Sequence, residues 1–168
     1  TISSNYLDAI IEMSKFYSKN GDSKKALELA QKGYNHTQNV QFENNLVQFH
    51  HVQNMAEVYF NLKQYGDALI YSEKALAFFD NQLQQSASRT DSIQNEFRKP
   101  RSLLINIKSK YNLEINKNEA FLKGILDKIE EGISILNRRK TIIKTLEDLN
   151  VLIAQNSELF SFAKQLRL

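Results

Sequence analysis

Cysteine is absent from all 168 residues, which removes disulfide frameworks, thiolate metal sites and cysteine nucleophiles at once. Proline occurs once, glycine five times and tryptophan not at all. So few chain breakers favour long helices over the many tight turns of an all-β fold. Long hydrophobic runs are also missing. None approaches the roughly 18 apolar residues of a membrane-spanning helix, and no signal-peptide core is visible. The expectation is no membrane insertion. No strong excess of one charge exists either: the net charge is +3, a poor basis for nucleic-acid binding, and none is expected. What remains is a 42% hydrophobic, 24% charged chain of ordinary globular composition, long enough to bury a core.

The polar and apolar residues alternate at helical spacing. Leu7, Ile10, Ile11, Ser14 and Tyr17 share one face. Asn20-Gly21 then supplies a left-handed stop, and Asp22 or Ser23 can cap a second helix carrying Ala26, Leu27, Leu29, Ala30 and Tyr34. A second hairpin pairs Phe42, Leu46, Phe49, Val52, Met55, Ala56 and Tyr59 with Ala68, Leu69, Ser72, Ala75, Leu76 and Phe79, turning at "NLKQYGD". The segment 81–99 is polar and reads as a loop. Pro100 suits the first turn of the next helix, which carries Leu103, Leu104, Ile107 and Tyr111. Further helices are expected from "NKNEA" to about Arg139, from Ile142 to Ile153, and from Leu159 to Leu166. The sum is an all-α chain of seven or eight helices with no strand.

The hairpins echo one another. Tyr17–Ala26, Tyr59–Ala68 and Tyr111–Ala120 share a separation of nine, and small residues follow at Ala30, Ser72 and Gly124. A small residue at a helix crossing lets two backbones approach, and the tyrosine fills the groove beside it. With Ile10, Met13-Ser14, Val52, Met55-Ala56, Leu104 and Ile107, this pattern resembles the tetratricopeptide-repeat (TPR) family. The resemblance covers about residues 7–136 and degenerates beyond, where Leu152 and Ser161 stand at the Tyr and Ala places. It departs from the family in its spacings of 42 and 52 residues, in lacking the terminal proline, and in Lys108 at a place that wants a small side chain.

The resemblance implies antiparallel helical hairpins stacked as a short TPR-like solenoid, with a less regular C-terminal part. It implies two hairpins in 1–80, the loop 81–99, and degenerate hairpins in 100–168, all one domain. It further implies a concave groove lined by the first helix of each hairpin. That groove would hold Asp8, Ile11, Glu12, Lys15 and Lys19 from one helix, and His50, Gln53, Asn54, Glu57, Phe60 and Asn61 from the next. Such a mixed polar surface suits an extended peptide or partner helix. The clamp by which some family members hold a C-terminal carboxylate is not carried over, because Ile11 and Lys15 stand at its two places.

Catalytic constellations are missing. His36, His50 and His51 have no metal-ligand spacing, and adjacent His50 and His51 point to different helix faces. Asp127, Glu130 and Glu131, and again Glu147 and Asp148, read as solvated helix faces with lysines close by. "GDSKK" lacks the glycines of a phosphate loop, and no Gly-x-Ser-x-Gly elbow occurs. No catalytic residue, cofactor or metal is expected. Arg138, Arg139, Lys140 and Lys144 form a small basic cluster at a helix end, which Lys108 and Lys110 join only if the fold brings them near. Leu122, Leu126, Ile129, Ile133 and Leu136 step at heptad spacing.

The expected function is a non-catalytic protein–protein interaction module, a scaffold or docking domain of a larger regulatory protein, working in the cytoplasm. Thr1 in place of an initial Met fits an excised piece. The alternative is a helical homo-oligomerisation domain that dimerises through the Leu122–Leu136 stripe.

Overall fold

A computed structural model describes residues 3–39, 45–81 and 96–167. They form seven helices: α1 (Ser4–Lys19), α2 (Ser23–Asn39), α3 (Leu46–Asn61), α4 (Tyr65–Asn81), α5 (Lys99–Leu113), α6 (Glu119–Ile142) and α7 (Leu146–Arg167). No strand occurs among the described residues. The expected loop residues 82–95, and Phe42 in the expected start of α3, lie outside them. The chain divides into two compact units, Thr1–Ser86 and Ala87–Leu168.

In the first unit α1 pairs with α2, α2 with α3, α3 with α4, and α1 also lies against α3. The two hairpin turns have the same construction. Gly21 takes φ +82°, and Asp22 N–H donates to Tyr17 O at 3.0 Å. Forty-two residues on, Lys63 takes φ +61°, and Gln64 N–H donates to Tyr59 O at 2.9 Å. The Gly66-Asp67 pair, which looks like the echo of Gly21-Asp22, instead lies in the first turn of α4. Asp22 accepts from Lys25 N–H at 3.2 Å and caps α2.

The small residues do what their spacing predicts in these two hairpins. Ala26, Ala30, Ala68, Ser72 and Ala75 are all fully buried. Ala26 and Ala30 pack with Met55 and Val58, flanked by Tyr17, Tyr34, Tyr59 and Tyr71. Tyr59 stacks on Tyr71 with centroids 5.5 Å apart. Phe49 meets Phe79 edge-on at 5.1 Å in a neighbouring cluster with Val52 and Ala75.

The second unit departs from that pattern. Ala120 is exposed, and a Cβ on Gly124 would meet nothing within 4 Å, so neither is a packing site. The reason is the linker. Three residues separate the helices of the first two hairpins, but five, Glu114 to Asn118, separate α5 from α6. Ala26 and Ala68 are the fourth residues of their helices, whereas Ala120 is the second of its own. Two positions turn a side chain by about 200°, to the opposite face. Tyr111 accordingly packs edge-on against Phe162 of α7, with centroids 5.4 Å apart. The close helix approach falls at Gly132, where a Cβ would come within 3.0 Å of Leu159 Cδ2.

In this unit α5, α6 and α7 each contact the other two. Leu104, Ile107, Ile125, Ile129, Leu136, Leu152, Leu159, Phe162 and Ala163 form the core, with Leu126 and Ile133 against it. Four members of the expected heptad stripe are therefore used inside the unit. The two expected C-terminal helices are one. Asn156 and Ser157, in the expected gap between them, return their side chains to Leu152 O (2.8 Å) and Ala154 O (3.1 Å) of their own helix. Ser161, expected at an alanine-like packing place, is exposed while Phe162 and Ala163 are buried.

Candidate functional site

Helices α1 and α3 run parallel, because their contacts advance together along both. Asn54 Nδ2–H donates to Ser14 Oγ at 2.9 Å, and Ser14 Oγ–H reaches Ile11 O at 2.9 Å. Lys15 Nζ lies 3.6 Å from both Glu12 and Glu57. Asn61 Nδ2–H donates to Ser18 Oγ at 2.9 Å. On α3 the rungs fall at Asn54, Glu57 and Asn61, each about one helical turn from the next.

Above the rungs lies an open depression of about 340 Å³, lined by Asp8, Ile11, Glu12, Lys15, His50, Gln53, Asn54 and Glu57. Of the groove residues expected from the sequence, Asp8, Ile11, Glu12, Lys15, His50, Gln53, Asn54 and Glu57 therefore meet in one place. Lys19, Phe60 and Asn61 fall outside that lining. Lys19 is exposed at the end of α1, Phe60 packs beside Tyr65 at 5.6 Å, and Asn61 is the last rung. Asn54 is 1% exposed, so it serves chiefly as the bridge to Ser14. Glu57 is also buried, with Lys15 beside it.

Charge in the depression opposes that of the whole chain. Asp8, Glu12 and Glu57 line it with one ammonium, Lys15, three carboxylates against one cation. Lys15 is held between two of those carboxylates, while Glu12 and Asp8 remain on the accessible rim. The arrangement can attract a cation and accept hydrogen bonds.

Beside His50 in the chain stands a second imidazole, on a different face of α3. His51 is 1% exposed, and its Nδ1 has no hydrogen-bond partner among the described residues. A Cβ on Gly33 would stand 2.5 Å from that nitrogen, so only glycine admits the ring. Burial, with His50 adding to it, holds the imidazole pKa down at about 4. Its surroundings in α1 to α3 include Asp8, His36 and His50. The signal for this arrangement was present in Gly33 and His51, but their proximity depends on how α2 crosses α3.

The basic cluster is dispersed. Arg138 pairs with Glu96, and Arg139 lies over the Phe97 ring at 5.6 Å. Arg98, Arg139 and Lys144 line a second cleft of about 680 Å³ with Phe97, Ile142, Ile143, Asp148, Val151 and Leu152. Burial, reinforced by Arg139, lowers the Arg98 pKa. Lys108 belongs elsewhere and pairs with Glu158. Of the acidic residues, Glu131 pairs with Lys99 and Lys128, and Asp148 completes a cap with Thr145.

Among the described residues no cluster of three His, Cys, Asp or Glu side chains could hold a metal ion. None of their helices is long and apolar enough to cross a membrane. No family model, curated protein or solved structure matches the chain.

Proposed function

We propose that the protein is a non-catalytic interaction module of the TPR kind, whose α1–α3 groove binds a basic polypeptide segment. The observation carrying this reading is the acidic depression between two parallel helices, with Glu12 and Asp8 on its accessible rim. The two hairpin turns, each with a positive-φ residue and the same backbone hydrogen bond, and the buried Ala26, Ala30, Ala68 and Ala75 support the repeat assignment. Association through the Leu122–Leu136 stripe is the weaker reading, because Leu126, Ile129, Ile133 and Leu136 already pack within the second unit. A docking role within a larger regulatory protein fits a site with recognition features of this kind.

The test is fluorescence anisotropy with a labelled peptide of alternating Lys and Ala, and a Glu/Ala peptide as control. Binding of the basic peptide should weaken as salt rises. Glu12→Lys, on the exposed rim, should lower affinity about tenfold, equivalent to about 1.4 kcal/mol. Affinity indifferent to both salt and Glu12→Lys, or equal for the acidic peptide, would refute the assignment.

A further inference from the structure

The two hairpins are equivalent at an offset of 42 residues, which maps Gly21 onto Lys63 and Tyr17 onto Tyr59. The same offset maps Ala9, Met13 and Phe16 of α1 onto His51, Met55 and Val58 of α3. On α3 this face is closed. Met55 and Val58 are 0% exposed and pack with Ala26 and Ala30 of α2, while His51 fits over Gly33. On α1 the matching face is open. Ala9 is exposed, Met13 is 47% exposed and Phe16 is 62% exposed.

Single exposed apolar side chains need no explanation. Here the explanation comes from the neighbouring repeat, which shows what such a face receives. We propose that the Ala9–Met13–Phe16 face docks the second helix of a further helical hairpin, stacked ahead of α1 as α2 is stacked ahead of α3. The docking helix would present small residues at the spacing of Ala26, Ala30 and Gly33. Met13 and Phe16 supply the large side chains that fill the spaces between them, with the thioether adapting to the gap. This surface is separate from the acidic groove, and the proposal does not depend on what the groove binds.

The absence of cysteine makes a clean test. Ala9→Cys places a single thiol at one end of the face, and Lys24→Cys places one on exposed α2 as a control. Thiol labelling is followed with and without a synthetic peptide of the α2 sequence, Ser23–Asn39. A second arm adds a copy of residues 4–45 directly before residue 4, which continues the 42-residue register. In both arms labelling at position 9 should slow about tenfold, as a protected site opens less often. The rate at position 24 should not change. Phe16→Glu in the same background, or Ala30→Lys in the peptide, should restore fast labelling. Unchanged labelling with saturating peptide overturns the proposal, whether or not the extended chain folds. Protection that grows with protein concentration alone also overturns it, by making a second copy the occupant.

Discussion

His51 is neutral in the fold because ionising it would put an uncompensated charge where water is excluded. Its pKa falls from 6.5 to about 4, so the unfolded chain binds more protons than the folded one between those values. Stability is full above about pH 6.5 and declines as the pH falls toward 4, by an amount on the order of 2–3 kcal/mol. Urea unfolding as a function of pH should show this slope in the wild type. His51→Leu should flatten it, because the replacement carries no proton and leaves no unpartnered nitrogen. Lys63 is the second informative residue. It occupies, at φ +61°, the place that glycine fills in the first hairpin. Lys63→Gly should raise stability by about 0.5–1 kcal/mol, the left-handed strain of a side chain exceeding the extra freedom of unfolded glycine. A lowered denaturation midpoint would contradict that.

Between elements, the polar contacts of α1 with α3 matter more than their exposure suggests. Asn54 and Ser14 satisfy each other in a region closed to water. Asn54→Leu should cost about 0.5–1.5 kcal/mol by removing the amide that donates to the buried Ser14 hydroxyl, which keeps only its bond to Ile11 O. Adding Ser14→Ala should recover part of that loss, read as coupling in a double-mutant cycle. This level also separates what was legible from what was not. Tyr17, Tyr59 and the buried alanines could be read directly, because each hairpin turn keeps the three-residue length that gives the spacing its meaning. That Asp8, Ile11, Glu12, Lys15, His50, Gln53, Asn54 and Glu57 line one depression follows from the same regular spacing. Ala120 and Gly124 misled, since two extra linker residues rotate them outward. The separation expected between Ile153 and Leu159 does not occur, because Asn156 and Ser157 there return their side chains to carbonyls of their own helix. Asn54 looked like surface, because a polar residue on a helix reveals its burial only through a partner forty positions away, Ser14.

For the molecule as a whole, the two units carry different acid sensitivities. Unit one depends on a histidine that must stay neutral. Unit two depends on carboxylates that must stay charged. Burial raises the Glu158 and Glu131 pKa values, but Lys108 and Arg101 outweigh it at Glu158, and Lys99 and Lys128 at Glu131, so both finish below 4.5. A carboxyl with a depressed pKa gives stability above its unfolded value and loses it as the pH falls through the folded one. Acid should therefore weaken Thr1–Ser86 first, below about pH 6.5, and Ala87–Leu168 only below about pH 4.5. Hydrogen exchange read by mass spectrometry across a pH series, corrected for intrinsic rates, should show that order. Simultaneous loss of protection in both units at one pH would contradict it.

The three rungs between α1 and α3 have a mechanical consequence. Sliding α3 by one turn, about 5.4 Å, would bring Asn54 opposite Ser18 but strand Ser14, Asn61 and the Lys15–Glu57 pair. The two helices thus behave as a rack with its teeth engaged. Successive features along the groove keep their intervals before any guest arrives, so the surface acts as a ruler. A flexible chain laid along it would be selected by the distances between its side chains as well as by their charge.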